Sequence, residues 1–217
     1  MSTQDTKERL LDAAEELFAE HGYGGTSLRA VTGAAEANLA AVHYHFGGKR
    51  ELFQAVFARR VHDLNAERLR LLDALEARPQ PPAVEELVEA LVAPAVRRAV
   101  AGEPGWARFG RLLGRIQSGT GEHFEAIREV FRDVHLRFFP ALQRALPHLS
   151  EEELFWRVHF LLGAMLSLLV GPDRLAAMSC GLCDASDPDD ATAQLTAFLA
   201  AGLQAPNAKR TAPRGGA

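Results

Sequence analysis

Two cysteines in 217 residues cannot build a disulfide framework, so the fold has to be held by packing, and a reducing compartment is the natural setting. The longest apolar run, 160–170, is about half of the roughly 20 residues that a membrane span requires. Residues 1–20 carry Asp5, Lys7, Glu8, Arg9, Asp12, Glu15, Glu16 and Glu20 around no apolar stretch, which is not the pattern of a secretory leader. These absences predict a cytoplasmic protein with no membrane contact. Strand signals are missing as well: there is no alternating run of β-branched residues and no Asn-Gly or Asp-Gly hairpin. Nor is there a charge excess, since the net charge of −4 excludes a protein that coats nucleic acid indiscriminately.

What is present is helical periodicity, in a chain that is 47% hydrophobic and so able to bury a core. Leu10, Leu11, Ala14, Leu17 and Phe18 repeat on one face, with Thr3 as the expected cap, until His21-Gly22-Tyr23-Gly24-Gly25 stops the helix. Thr26-Ser27 opens a second short helix through Leu28, Val31 and Ala35. A turn at Glu36-Ala37 leads to a third, from Asn38 to about Tyr44. Gly47-Gly48 breaks that helix, and Lys49 begins a long fourth one carrying Leu52, Phe53, Val56, Phe57, Val61 and Leu64, which runs to Glu76. Pro79-Gln80-Pro81-Pro82 is the clearest break in the chain. Beyond it the pattern predicts helices at 84–101, 105–118, 121–146, 151–170 and 189–204. The tail from Pro206 is polar and basic and is expected to be disordered. The fold class is therefore all-α: an N-terminal three-helix domain (1–50), a C-terminal helical bundle (51–205) and a tail (206–217).

Residues 27–46 have the organisation of a helix-turn-helix, in which one helix packs across a second that enters a major groove about 12 Å wide. Ala30, Ala34 and Ala35 are small enough for close crossing; Val42 and Phe46 face the core, leaving Asn38, Leu39, Ala41 and His43 outward. Charge agrees. Between Gly24 and Arg50, Arg29, Lys49 and Arg50 stand against Glu36 alone, and His43 and His45 can add to them. A shared metal on the two histidines is disfavoured, because positions i and i+2 lie about 200° apart on a helix.

The wording of this stretch is more specific than its pattern. Leu17-Phe18-Ala19-Glu20-His21-Gly22-Tyr23, Thr26-Ser27-Leu28-Arg29, Asn38 through Lys49, and Glu51-Leu52-Phe53 resemble the signature of the TetR family of transcriptional regulators, continuously over 7–57. The resemblance implies a homodimer on a double-stranded DNA operator. Ser27 and nearby amides would hold a phosphate; Arg29 would reach a guanine edge; Asn38 and Leu39 would open the recognition helix; His43, Tyr44, His45 and Lys49 would touch phosphates or bases. One residue departs from the family: Glu36 stands where a turn glycine is usual, and would have to adopt positive φ beside the phosphate backbone.

The C-terminal part would bind a small hydrophobic or acyl effector and the twin subunit. Helix 151–170 is apolar all round, which fits either a core helix or a core helix that also forms a subunit interface, with 189–204 as its second element. Ala197, Ala200, Ala201 and Gly202 would let 189–204 pack closely. Arg108, Arg111 and Arg115 form a stripe that is either a solvated face or a clamp for an anionic headgroup. Among the aromatic residues Trp106, Phe109, Phe124, Phe131, Phe138, Phe139 and Trp156, the expected ligand contacts are Trp106, Phe109, Phe131 and Trp156, together with Arg111. Phe109-Gly110-Arg111-Leu112-Leu113-Gly114 and Glu153 through Ala164 resemble the PsrA-type subgroup, which implies a response to a fatty acid or acyl-CoA. Cys180-Gly181-Leu182-Cys183 supplies only two of four zinc ligands and reads as a loop, a thiol pair or a partial metal site.

Two rival functions frame the expectation. An enzyme would use buried polar groups such as His135, Arg157 and His159, but no nucleophile–base spacing, phosphate loop or paired carboxylate accompanies them. A helical lipid carrier that no longer binds DNA is the alternative that Glu36 suggests. No cofactor or metal is expected.

Overall fold

The computed structural model describes residues 3–103, 105–116 and 122–207, and among them the chain is eleven helices with no strand. Helix α1 (Thr3–Gly25) packs on the first half of α4 (Lys49–Glu76), and α2 (Leu28–Ala34) and α3 (Leu39–His45) pack on α1 and on each other. The rest of α4 joins α5 (Val84–Val100), α6 (Trp106–Ile116), α7 (Glu122–Val130), α8 (Arg132–Ala145), α9 (Glu151–Val170), α10 (Pro172–Met178) and α11 (Pro188–Gln204) in a bundle. One continuous core runs from Leu10 to Leu203. The tail beyond residue 207, and positions 117–118 of the expected sixth helix, lie outside the described residues.

The local signals act as their chemistry dictates. Leu10, Leu11, Ala14 and Phe18 bury one face of α1, and Gly22 breaks the helix in the left-handed region at φ 72°. The Thr26 hydroxyl, itself buried, lies 2.8 Å from the Gly22 carbonyl and 3.0 Å from that of Leu17, engaging groups that the helix end leaves open. α4 has 28 residues and is thus about 42 Å long. Leu52, Phe53, Val56, Phe57, Val61, Leu64 and Leu72 form a buried stripe along it, and this stripe joins the two parts of the molecule. α9 starts with a reciprocal cap: Glu153 N donates to Ser150 Oγ at 3.2 Å, and Ser150 N donates to Glu153 Oε2 at 3.0 Å.

Three features depart from expectation. The helix expected over 121–146 is two, broken at Phe131, because the Asn65 amide on α4 donates to the Val130 carbonyl at 3.1 Å and draws it out of the helical ladder. α10 is an additional short helix with proline at its first position, where a missing N–H costs nothing. The apolar run at 160–170 is part of a 20-residue helix, α9, which is by length and composition capable of crossing a membrane. Here α9 instead packs on α5, α6, α10 and α11.

Gly110 and Gly114 mark a close approach of two helices in the bundle. A Cβ on Gly110 would lie 3.0 Å from the Leu169 carbonyl oxygen, and one on Gly114 would lie 3.1 Å from a Val170 methyl. Glycines four apart therefore let α6 lie directly against the end of α9.

Candidate nucleic-acid interface

Two short helices with side-chain caps form the reading unit. Ser27 Oγ accepts from Ala30 N at 3.1 Å to start α2, and Asn38 Oδ1 accepts from Ala41 N at 2.8 Å to start α3. Between them Glu36 adopts φ 48°, the left-handed conformation that the sequence requires of a turn usually made by glycine. Val31, Thr32, Ala35 and Val42 are buried, and Phe46 packs at the core's edge. Ala35 alone of the three small residues sits at the crossing; Ala30 and Ala34 are exposed.

Anchoring Val42 turns the other side of α3 outward. Leu39, Ala40, His43 and Tyr44 are exposed and fall on one face, being one and four positions apart. Tyr44 is 78% exposed. Ala41 and His45 are half-buried at its margins. With its side chains a helix such as α3 is about 10–12 Å across, a fit to a major groove about 12 Å wide. His43 donates its Nδ1 hydrogen to the Gly47 carbonyl at 2.8 Å, which leaves Nε2 of the neutral ring as an acceptor pointing away from its own backbone. Arg29 is exposed on α2. Lys49 Nζ lies 4.4 Å from the centroid of the Tyr23 ring, in a cation–π contact that ties the start of α4 to the end of α1 just past its break at Gly22. Ser27, Arg29, Asn38, Leu39, His43, Tyr44, His45 and Lys49 thus belong to one α2–α3–α4 corner, with the oxygens of Ser27 and Asn38 already engaged as caps.

The reader is held to the bundle by contacts that no local pattern announces. Glu15 of α1 is fully buried and receives Arg59 and Arg60 of α4, the latter at 2.8 Å from Nε. Arg108 of α6 pairs with Glu16 at 2.9 Å, and Arg115 Nε donates to the Ala19 carbonyl at 2.8 Å. Two of the three members of the arginine stripe thus dock α6 onto α1, and Arg111 is left exposed.

Nor do the expected ligand contacts form one wall. Trp106 and Phe109 are buried in a ring cluster with Phe57, and Phe131 is half-buried at the α7–α8 break. Trp156 is exposed on α9. Gly110 meets α9 at Leu169, thirteen residues and so about 20 Å along the helix from Trp156. The Phe124 side chain lies outside the described residues. The groups a catalytic reading would need are not buried: His135 and His159 are exposed, and Arg157 donates to the carbonyls of Leu203 and Ala205 at 2.6 Å, capping α11. Cys180 and Cys183 are free and exposed, and no three His, Cys, Asp or Glu residues cluster with metal-holding spacing among the described residues.

An exposed two-helix reader braced on a long helix and an all-α bundle defines a helix-turn-helix regulator. Residues 10–56 match the family described as bacterial regulatory proteins, tetR family, and residues 89–202 match the tetracyclin repressor-like C-terminal domain. The chain belongs to the tetR family. It is 38% identical over 64 residues to the transcriptional regulator SrpR of Pseudomonas putida, covering 30% of each chain. To the nicotine-responsive repressor HdnoR of Paenarthrobacter nicotinovorans it is 38% identical over 76 residues, covering 35% of this chain and 39% of that one. These alignments span well under half of either curated relative. Over the whole fold it superposes on the regulator FadR of Bacillus subtilis, solved with stearoyl-CoA, with a TM-score of 0.61 at 12% identity, covering 90% of this chain and 98% of that one.

Proposed function

We propose that this protein is a homodimeric, ligand-responsive DNA-binding regulator: a repressor that occupies a palindromic operator and is released from it by a fatty acid or acyl-CoA. The observation that carries the DNA-binding part is the outward face of α3. Leu39, Ala40, His43 and Tyr44 project from a helix whose opposite side is pinned by Val42, with no acidic residue on α3 itself. Arg29 and the 38–43 stretch read bases in this proposal, while Ser27 and Lys49 contact phosphates and set register.

The dimer is supported by an unpartnered apolar surface. Trp156 and Phe160 on α9, 58% and 62% exposed, and Phe198 on α11, 71% exposed, leave large rings in water on a pair of helices that Arg157 clamps together. Around Phe198 the outer face of α11 is small and uncharged, with Ala193, Gln194, Ala197, Ala201 and Gly202. Exposed apolar patches of this kind mark association surfaces. A two-fold pair joined there carries two α3 helices, so the half-sites lie about one helical turn, or a multiple, apart. The acyl effector is supported by the resemblance of 109–114 and 153–164 to fatty-acid-responsive regulators, and by the fold shared with a regulator solved with stearoyl-CoA.

Fluorescence anisotropy on the region upstream of the protein's own gene, titrated with C12–C18 acids and their thioesters alongside unrelated aromatic drugs, tests both parts. Operator binding lost on adding an acid or thioester is the expected result. Binding relieved only by a drug overturns the acyl assignment, and lipid binding without any DNA binding points instead to a helical carrier.

A further inference from the structure

Among the described residues Arg68 is the one arginine with a nearly inaccessible side chain, 3% exposed, and it has no carboxylate partner there. It sits about two-thirds of the way along α4, flanked one turn to either side by buried Leu64 and Leu72. A guanidinium presents five N–H donors. Here Nε donates to the Leu91 carbonyl at 2.7 Å, Nη1 to Asn65 Oδ1 at 3.3 Å, and Nη2 only to the Met165 thioether at 3.8 Å. Two hydrogens find no acceptor among the described residues and a third has a weak one. The neighbouring acid cannot serve, because Glu67 is committed to Arg97 at 3.0 Å and Arg98 at 2.7 Å.

Part of this arrangement is structural. Pro94 within α5 lacks an N–H and crowds the Ala90 carbonyl, loosening the helical ladder in the turn where Arg68 takes the carbonyl of Leu91. That accounts for Nε. The Nη edge, the fork that grips a carboxylate through two parallel hydrogen bonds, remains aimed at the soft, unbranched side chain of Met165. Taking an unpaired cation out of water is unfavourable, and one carbonyl, one amide oxygen and one sulfur leave part of the fork without a strong acceptor.

We propose that Arg68 is the anchor for the effector: a small apolar molecule with one free carboxylate enters among α4, α5 and α9, displaces the Met165 thioether, and is held by the Nη1–Nη2 edge beside Asn65. This rests on the ligand-responsive reading above and narrows it. The head is a carboxylate rather than a coenzyme A thioester, because the acyl end of a thioester carries no charge for the fork to hold and the anionic phosphates of the coenzyme lie a long pantetheine arm away from it. Burial lowers the Arg68 pKa to about 10, so the group stays charged at neutral pH. Met165 lies on α9, so its displacement acts directly on the helix that carries the exposed rings of the proposed interface.

The test is calorimetric binding of decanoate, 1-decanol and decanoyl-CoA to the full chain and to Arg68→Met and Arg68→Lys, with circular dichroism as the check on folding. The wild type is expected to bind decanoate at least tenfold more tightly than decanol. Arg68→Met should make the two equal, and Arg68→Lys should keep part of the preference. Where Arg68→Met does not fold, the wild-type arginine side-chain ¹⁵N spectrum decides: decanoate, and not decanol, should shift a slowly exchanging Nε–H signal. A wild type that does not discriminate acid from alcohol overturns the proposal, as does undiminished discrimination in Arg68→Met. Release from DNA by decanoyl-CoA but not decanoate would also overturn it while leaving the regulator reading in place. Decanoate held through Arg68 by a chain that binds no DNA would do the opposite, supporting the anchor and removing the regulator.

Discussion

Truncating Phe198 to alanine should separate the two subunits. The residue is 71% exposed in the single chain. Taking about 200 Å² for a phenylalanine side chain, roughly 140 Å² is available for burial. At about 25 cal/mol per Å² that is ~3.5 kcal/mol for one ring, and a two-fold interface uses the same residue twice, giving ~7 kcal/mol. Alanine keeps the Cβ, and neighbouring side chains close in on part of the gap, so the expected loss is about 4–5 kcal/mol, or roughly a thousandfold to a few thousandfold in the dimer dissociation constant. Sedimentation equilibrium over the micromolar range measures it: the wild type should sediment as a dimer and Phe198→Ala as a monomer–dimer mixture or a monomer. Leu39→Ala is the control, since Leu39 is 42% exposed on α3, in the DNA reader, and its loss should not change the subunit equilibrium. A monomeric wild type, or a Phe198→Ala chain that remains fully dimeric, refutes the assignment of this surface.

The reader yields three further expectations. Glu36→Gly should stabilise the chain by about 1 kcal/mol, raising Tm by a few degrees, because it relieves a side chain at φ 48°; it should also tighten DNA binding, and an unchanged or lower Tm would contradict the strain. Lys49→Ala should weaken binding to all sequences and reduce the salt slope by about one, whereas Arg29→Ala should cost about 1–3 kcal/mol on the operator and relax preference at one base pair; equal effects of Arg29→Ala on operator and random DNA would remove its base-reading role. Glu15→Ala removes the buried acid that receives Arg59 and Arg60; Arg59 keeps Asp12 at 2.8 Å and both arginines are about one-fifth exposed, so the loss should fall well below the 3–5 kcal/mol of a wholly buried pair, at about 1–2 kcal/mol in urea unfolding; a change under half a kcal/mol would show the cluster to be inert.

The elements legible in the chain before any folding is considered are those whose cause is local. Ser27 and Asn38 cap because a short polar side chain reaches back to the helix's own amides. Gly22 breaks α1 and Glu36 takes positive φ because those steps need the left-handed region. The limits of α4 and α9 follow from Gly48 and the proline cluster, and from the Ser150–Glu153 cap and Gly171. α10 has a local cause too, a Gly-Pro step followed by good helix formers, although its shortness hid it beside the long pattern of α9. The destination of each long side chain is a different matter, settled by packing. Arg108 and Arg115 share a helical face with Arg111, yet two of them reach α1 some 90 residues away and one stays in water. Arg68 looks like any solvated arginine on a periodic helix until α5 and α9 close over it. The break at Phe131 depends on an amide 65 residues upstream. Caps and periodicity are set by interactions within one or two turns; a guanidinium on a flexible stem takes whatever partner the packing of distant helices brings within its reach.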